Sequence, residues 1–241
     1  MSTRALIQRI GTGALALTLV AGCSKSPPAD SAPVPSPTAP PVSSDCGGLD
    51  DLEESFVGYD PMVPADPEVA STALEDVASA DQRASQLCET FSPIAVAASR
   101  STGCESRCEI LEDTINQTHV VFLDELVTTH GWPTAPPYTP TGVAGALLIV
   151  EHADQDPAFQ ERMLDRAEAA VREGLLSGSD FAATFDAVEV SHGRRQVYGT
   201  QGDCSGEQGG WEPLPVTDAD GLDERREALG LPMRPARKPV P

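Results

Sequence analysis

The sequence has little positive charge and few aromatic residues. Lysine and arginine together number 16 against 37 aspartates and glutamates, and aromatic residues make up 5% of the chain. The formal net charge of −21 gives a surface that repels phosphate backbones, so we expect no nucleic-acid partner. The sequence also lacks an uninterrupted run of roughly 20 apolar residues, the length that a membrane-spanning helix needs.

The familiar catalytic and cofactor motifs are missing as well. There is no nucleophile elbow, no phosphate-binding loop, no zinc-protease helix and no EF-hand pattern. Cys104 and Cys108 are separated by three residues, which is not the two-residue spacing of redox motifs. The sequence therefore predicts no cofactor and no metal site.

The N-terminus is typical of an exported lipoprotein. Arg4 and Arg9 precede a short apolar run, and residues 20–23 read Val-Ala-Gly-Cys, a lipoprotein cleavage pattern. This predicts a signal peptide over residues 1–22 and an acylated Cys23 that binds the lipid bilayer. An ordinary secretory signal with a chance cysteine is the alternative. We expect a lipid-anchored protein of the cell envelope, and Ser24 favours the outer membrane if the cell is Gram-negative.

Composition divides the rest of the chain. Residues 23–45 are rich in proline, serine and alanine, which predicts a disordered tether. We expect an irregular and helical N-terminal part over 46–104, a second part over 105–233, and a short tail over 234–241. The stretch 46–65 is rich in glycine and acidic residues and is predicted to be irregular.

Apolar spacing and capping residues predict a mainly α (α+β) fold, a helical domain with one small β-hairpin. Asp66-Pro67 and Asp156-Pro157 each place proline at the first position of a helix, directly after a capping aspartate. The two strands of the hairpin are predicted at 188–190 and 196–198, on either side of His192-Gly193-Arg194.

Six cysteines in an exported chain indicate disulfide bonds. We expect Cys88 to pair with Cys104 or Cys108, which would join two long helices. Any long-range bridge is expected between Cys204 and Cys46. A bond between Cys104 and Cys108 is less favoured, because residues four apart in one helix lie near the distance limit.

His152 and Asp154 are the candidate catalytic residues. They follow the apolar run 143–150, which predicts a buried helix ending near His152. A histidine beside carboxylates can be a general base, a metal ligand or a structural hydrogen-bond partner. The structural role is the commonest at the end of a buried helix, and the catalytic role comes next.

A second polar segment lies about forty residues downstream. Its uncharged polar residues alternate, which suits either recognition of a polar ligand or a satisfied buried network. We expect this segment to face His152 and Asp154 across a pocket with Trp132 at its edge, although Trp132 also fits a core residue. The candidate ligand-binding residues are Trp132, Gln196, Tyr198, Thr200 and Gln201.

The order of these segments resembles a bacterial family, the domain-of-unknown-function 6624 family. The resemblance rests on four segments: His130-Gly131-Trp132-Pro133, His152-Ala153-Asp154 with the following Asp156-Pro157, the tetrad at 198–201, and Asp223 to Arg226 with Gly230-Leu231-Pro232. It implies a domain but no activity. The chain departs from the family where Glu151 replaces a usual glutamine and where Ala187 follows Asp186 in place of arginine.

Two functions remain open at this point. The first is a ligand-binding or interaction domain of the cell envelope, with a polar small molecule or an envelope protein as partner. The alternative is a histidine-dependent hydrolase that uses His152 with a nearby carboxylate. Binding is favoured, because neither a nucleophile nor a complete metal-ligand set can be assembled from the sequence.

Overall fold

A computed structural model describes residue 46, residues 48–89, residue 91 and residues 103–203 and 212–233. Within these ranges it contains seven helices and two short strands. In chain order they are α1 (Leu49–Ser55), α2 (Pro67–Glu89), α3 (Cys104–His130), α4 (Pro140–His152), α5 (Pro157–Arg172), α6 (Gly178–Ser191), β1 (Gly202–Asp203), β2 (Glu212–Pro213) and α7 (Leu222–Ala228). The predicted mainly helical fold with one small hairpin is confirmed. The predicted signal peptide, the acylated Cys23, the tether and the tail lie outside the described residues.

The helices begin where capping residues predict. Asp156 accepts a hydrogen bond from the Phe159 backbone N–H at 2.9 Å, and Pro157 occupies the first helical position of α5. Thr139 caps α4 in the same way, with Pro140 after it and its side chain accepting from Gly142. These side chains satisfy backbone N–H groups that have no partner within the helix. Both starts are therefore encoded locally.

The core is centred on α4, which packs against α2, α3, α5 and α6. Ala146 and Val150 of α4 are completely buried. Gly145 allows α2 to approach closely, because a Cβ atom built there would lie only 2.5 Å from the Cβ atom of Ala78. This close approach brings the segment of α2 after Ala78 against the C-terminal end of α4.

A second, smaller core surrounds two disulfide bonds. Cys88 bonds to Cys108 and Cys46 bonds to Cys104, so the start of the described chain and the end of α2 are both fastened to α3. The predicted bridge from Cys88 to α3 is confirmed. The predicted pairing of Cys46 with Cys204 is wrong, because Cys46 is already bonded to Cys104; Cys204 lies outside the described residues.

Two local predictions are corrected. Residues 188–190 belong to α6, and 196–198 is not a strand either, since Gln196 forms only an isolated parallel bridge to Val216. The antiparallel pair is formed by β1 and β2. The β-branched residues at 188–190 remain helical because Phe181 and Val188 lie on the buried face of α6, so packing overrides local propensity. The stretch 46–65 is not wholly irregular, because it contains α1. Within the described ranges, no helix is both long and apolar enough to cross a membrane.

Candidate functional site

A cavity of about 450 Å³ lies between α2, α3 and the end of α4. Its volume falls in the range of small-molecule sites, roughly 300–1,000 Å³. Its polar lining includes His152 and Asp154 together with Asp81 and Ser85 of α2 and Glu109 and Asp113 of α3. The two candidate catalytic residues therefore meet at one cavity, in the company of carboxylates from two other helices.

His152 is held by Asp81 at the wall of this cavity. The His152 Nδ1 atom lies 2.6 Å from Asp81 Oδ2, and the Asp81 side chain is only 2% exposed. A carboxylate can only accept, so Nδ1 carries the proton and Nε2 is left for another partner. The His152 side chain is 30% exposed, so the ring is accessible from the cavity that it lines.

The two side chains shift each other's proton affinity. Burial alone would raise the pKa of Asp81, but hydrogen bonds from His119 and His152 outweigh it and lower that pKa. Burial alone would lower the pKa of His152, but the hydrogen bond and charge of Asp81, with the charges of Glu151 and Asp154, raise it. The pair therefore favours an ionised carboxylate beside an imidazole that binds a proton readily.

Glu151 adds another acidic group beside the pair. Burial raises the pKa of its carboxyl group, and the negative charges of Asp154 and Asp81 act in the same direction, whereas His152 opposes them. The carboxyl group of Glu151 therefore keeps its proton more readily than the carboxyl group of an exposed glutamate.

Asp154 is positioned by α5 and α6. Its Oδ1 atom accepts a 2.8 Å hydrogen bond from the Ser191 hydroxyl and a 3.5 Å bond from the Gln160 amide. Gln160 is itself buried, donates to the Val150 carbonyl at 2.9 Å, and accepts from His192 at 2.7 Å. The turn that carries Asp154 is thus tied to the end of α6.

The downstream polar segment is organised around a different carboxylate. Asp186 of α6 accepts hydrogen bonds from the backbone N–H groups of Val197, Tyr198 and Thr200 at 2.7–2.9 Å and from the Thr200 hydroxyl at 2.8 Å. Gln196 is fully buried and bonds to the backbone of Gln201 in both directions, at 2.9 and 2.7 Å. The segment is therefore a buried hydrogen-bond network whose groups bond to one another, which is the second of the two interpretations that its sequence allowed.

The structure therefore does not bring the two polar segments together at the cavity. Among the described residues that line it, none comes from 196–201, and Trp132 is not one of them either. Trp132 packs against the main core, and its buried indole N–H finds no partner in the described part of the chain. The two segments do not satisfy one another, because His152 bonds to Asp81 and Asp154 bonds to Ser191, whereas the downstream loop bonds to Asp186.

Arg225 and Arg226 complete the downstream network from α7. Arg225 Nε donates to the Val197 carbonyl at 3.0 Å, and Arg226 Nη1 donates to the Tyr198 carbonyl at 2.7 Å. The two arginines therefore hold carbonyl groups of the same loop whose N–H groups bond to Asp186. Most of the motif residues that carry the family resemblance in this region are accordingly structural.

Asp81 and His119 were missed by the sequence reasoning. Asp81 continues the apolar spacing of Leu74, Val77 and Ala84 on α2, so it is a carboxylate on the buried face of a helix. His119 is completely buried on α3, and its Nδ1 atom lies 3.3 Å from the second oxygen of Asp81. An acidic residue within an apolar stripe was the available signal, since buried charges need partners.

The described residues thus define a helical domain with a histidine–aspartate pair at a carboxylate-lined cavity. No group of three or more His, Cys, Asp or Glu side chains in the described ranges is arranged to hold a metal ion.

A family of unknown function, DUF6624, matches residues 106–236, which is more than half of the chain, so the chain belongs to this family. The resemblance predicted from the motifs is confirmed. No curated protein and no solved structure matches the chain. His152 and Asp154 lie inside the matched region, whereas Asp81 and all of α2 precede it. The candidate site therefore combines the family domain with a helix from outside it.

Proposed function

We propose that this domain binds a small ligand that carries a positive charge, in the cavity beside His152. The observation that supports this most directly is the lining: an accessible imidazole held by a buried carboxylate, with Glu109, Asp113 and Asp154 around the same space. Carboxylates accept hydrogen bonds and attract cations, so an ammonium or guanidinium group suits them. The negative net charge of the chain would draw such a ligand toward it.

Titration of the full chain with agmatine, a small guanidinium amine, tests this proposal. Binding measured by calorimetry should weaken about three- to fivefold in Asp154→Asn and in Asp113→Asn, the loss expected for a partly exposed charge pair of about 1 kcal/mol. Glu125→Gln is the matched control, because it removes the same charge from the exposed surface of α3. Equal losses in the control and the cavity variants would reduce the effect to general electrostatics and overturn the proposal.

A second candidate is hydrolysis that depends on His152. It is favoured by the Asp81–His152 bond, which keeps Nδ1 protonated and leaves Nε2 to act as a base toward the cavity. Ser85 lies one helical turn after Asp81 and lines the same cavity. In this mechanism Nε2 takes a proton from water or from the Ser85 hydroxyl as the oxygen attacks an ester carbonyl carbon. The C–O bond to the alcohol then breaks, and the imidazolium returns the proton to the departing oxygen. Where Ser85 attacks, water hydrolyses the acyl-serine by the same two steps and restores the hydroxyl. The nearby carboxylate of the mechanism is thus Asp81, with Asp154 facing the same space.

Turnover of ester substrates distinguishes the two candidate functions. A panel of p-nitrophenyl acetate and p-nitrophenyl esters with a cationic acyl group is offered to the full chain, with His152→Gln and Ser85→Ala as variants. Hydrolysis that His152→Gln abolishes would establish the second candidate, and its loss in Ser85→Ala as well would assign the attacking oxygen to that hydroxyl. Binding of agmatine without any turnover of these esters would support the first alone.

We also propose that the protein is held at the cell envelope by lipid on Cys23 and that its larger partner there is an envelope protein. The support is the order of basic residues, apolar run and cleavage pattern in residues 1–23. Cys23→Ala should move the protein from the membrane fraction to the soluble fraction, because no acyl chain can then be attached. Retention of this variant in the membrane pellet would contradict the proposal.

A further inference from the structure

Asp81 is shared by two histidines. Its Oδ2 atom receives the 2.6 Å bond from His152, and its Oδ1 atom receives the 3.3 Å bond from His119. His152 borders the cavity, whereas His119 is completely buried on the opposite side of the carboxylate. One buried negative charge is therefore divided between an accessible ring and an inaccessible one.

Tyr59 extends this arrangement into the segment that follows α1. Its hydroxyl lies 3.3 Å from His119 Nε2, and its ring meets the His119 ring edge to face. Burial raises the pKa of Tyr59 to about 12, so the hydroxyl keeps its proton and can donate. Since Nδ1 of His119 donates to Asp81, Nε2 is the acceptor for Tyr59. The chain of donors then runs in one direction, from Tyr59 through His119 to Asp81.

His119, the second hydrogen-bond donor to Asp81, changes how strongly Asp81 attracts the proton of His152. A hydrogen bond to a carboxylate contributes most when the negative charge is not neutralised by a neighbour. His119 therefore stabilises the state with neutral His152 more than the state with the imidazolium–carboxylate pair. Its bond reduces the free energy gained when His152 takes up a proton.

We propose that His119 is a positioning residue of the candidate site: by occupying Oδ1 of Asp81, it limits how tightly His152 holds its proton. Tyr59 keeps His119 in the donor form that this role requires. The inference rests on the proposed function only in taking the His152 cavity as the functional site. It assigns a role to residues 59, 81 and 119, of which only His119 lies within the family match.

The other charged groups near His152 and Tyr59 lie on α2, on α3 and at the end of α4. They stay in place when His119 or Tyr59 is changed, so a difference between variants reports on the altered residue. Beside His152 they are Asp81 of α2, Glu151 and Asp154 at the end of α4, and Glu109, Glu112 and Asp113 of α3; near Tyr59 they are Asp76 and Arg83 of α2.

The experiment is an NMR titration of the histidine rings in the full chain. The protein carries Cys23→Ser to prevent acylation, its disulfides are oxidised, and its four histidines are labelled. His152→Gln identifies the signal of His152. His119→Leu removes both ring nitrogens, whereas His119→Asn places an amide N–H near the position of Nδ1 and serves as the conservative partner.

We expect His119→Leu to shift the pKa of His152 upward and His119→Asn to return it toward the wild-type value. Tyr59→Phe should give a smaller upward shift. An unchanged or lowered pKa in a folded His119→Leu protein overturns the proposal, as does an equal shift in the leucine and asparagine variants. If His119→Leu does not fold, Tyr59→Phe decides: no upward shift in that variant is the contradicting result.

The titration uses no ligand, so its outcome is separate from that of the proposed binding. A protein that fails to bind agmatine can still show the shifts, and a protein that binds agmatine can lack them.

Discussion

Two buried carboxylates, Asp81 and Asp186, organise different regions of this domain. Asp186 receives three backbone N–H groups and one hydroxyl, and these donors cannot give up their protons in the physiological range. Asp81 receives two imidazole rings, one of which borders a cavity. Both arrangements satisfy a buried charge. Only around Asp81 does a donor, the His152 ring, border a cavity where it can meet a ligand.

The comparison separates a structural acid from a candidate functional one. Hydrogen bonds to backbone amides hold a loop in a single conformation, as Asp186 does for residues 197–200. Bonds to histidine rings vary with pH and with whatever occupies the other ring nitrogen. The partners of a buried carboxylate are therefore more informative about function than its burial.

The largest effect is expected from Asp186→Ala. The substitution leaves three backbone N–H groups and the Thr200 hydroxyl without their acceptor in a partly buried loop. We expect a loss of about 3–5 kcal/mol in the free energy of unfolding, measured by urea denaturation. Asp165→Ala on the exposed face of α5 is the control and should stay within about 0.5 kcal/mol of wild type. A loss below about 1 kcal/mol for Asp186→Ala would show that the loop does not depend on this carboxylate.

Asp81→Asn should cost less stability but alter the site. The amide keeps one acceptor oxygen and presents N–H groups to one of the two donor rings, so we expect a loss of about 2–3 kcal/mol. The pKa of His152 should fall, because the charge that raises it is removed. Asp186→Asn provides the comparison and should leave the pKa of His152 unchanged. Equal pKa effects from both variants would break the distinction between the two carboxylates.

Gly145→Ala tests whether the approach of α2 to α4 creates the Asp81–His152 contact. The added Cβ atom meets the Ala78 Cβ atom at 2.5 Å, so the helices must separate, at a cost of roughly 1–3 kcal/mol. Gly142→Ala is the matched control on the same helix, where the nearest atom is 3.6 Å from the added Cβ. Separation should also lower the pKa of His152. A Gly145→Ala protein that is as stable as its control would contradict the close approach.

The smallest effect is a pH dependence of stability. The pKa of His152 is raised in the folded state. Its contribution to the free energy of unfolding is therefore fully present below 6.5, the pKa of the unfolded state, and is lost as the pH rises through the folded-state pKa. Urea denaturation on both sides of this interval should show the loss in wild type. It should be absent from His152→Gln, which cannot titrate. The lowered pKa of Asp81 acts in a separate window: its contribution is present above 3.8 and is lost as the pH falls through the folded value. A loss of equal size in wild type and in His152→Gln would assign the alkaline effect to another group.

Helix starts and family membership could be read from the sequence, because both depend on residues that are close together in the chain. Asp156-Pro157 caps α5 through a contact three residues away, and the apolar run before His152 gives a buried helix. The hairpin could not be placed, because residues 188–190 have strand propensity but are packed as part of α6. The bridge from Cys88 to α3 was predictable, since both predicted helices carry cysteines, whereas the partner of Cys46 was not.

Half of the candidate site also follows from the sequence alone. His152 and Asp154 stand out as polar residues at the end of an apolar helix, and both line the cavity. The partner of His152 was decided by the tertiary structure, because Asp81 lies 71 residues earlier and comes into reach only where Gly145 lets α2 and α4 touch. The same holds for the downstream loop, because Asp186 and two arginines hold its backbone, and the side chains of Gln196 and Gln201 bond to backbone groups. Local sequence determines which residues are polar and where helices begin, but long-range packing decides which polar groups satisfy each other and which remain open to a ligand.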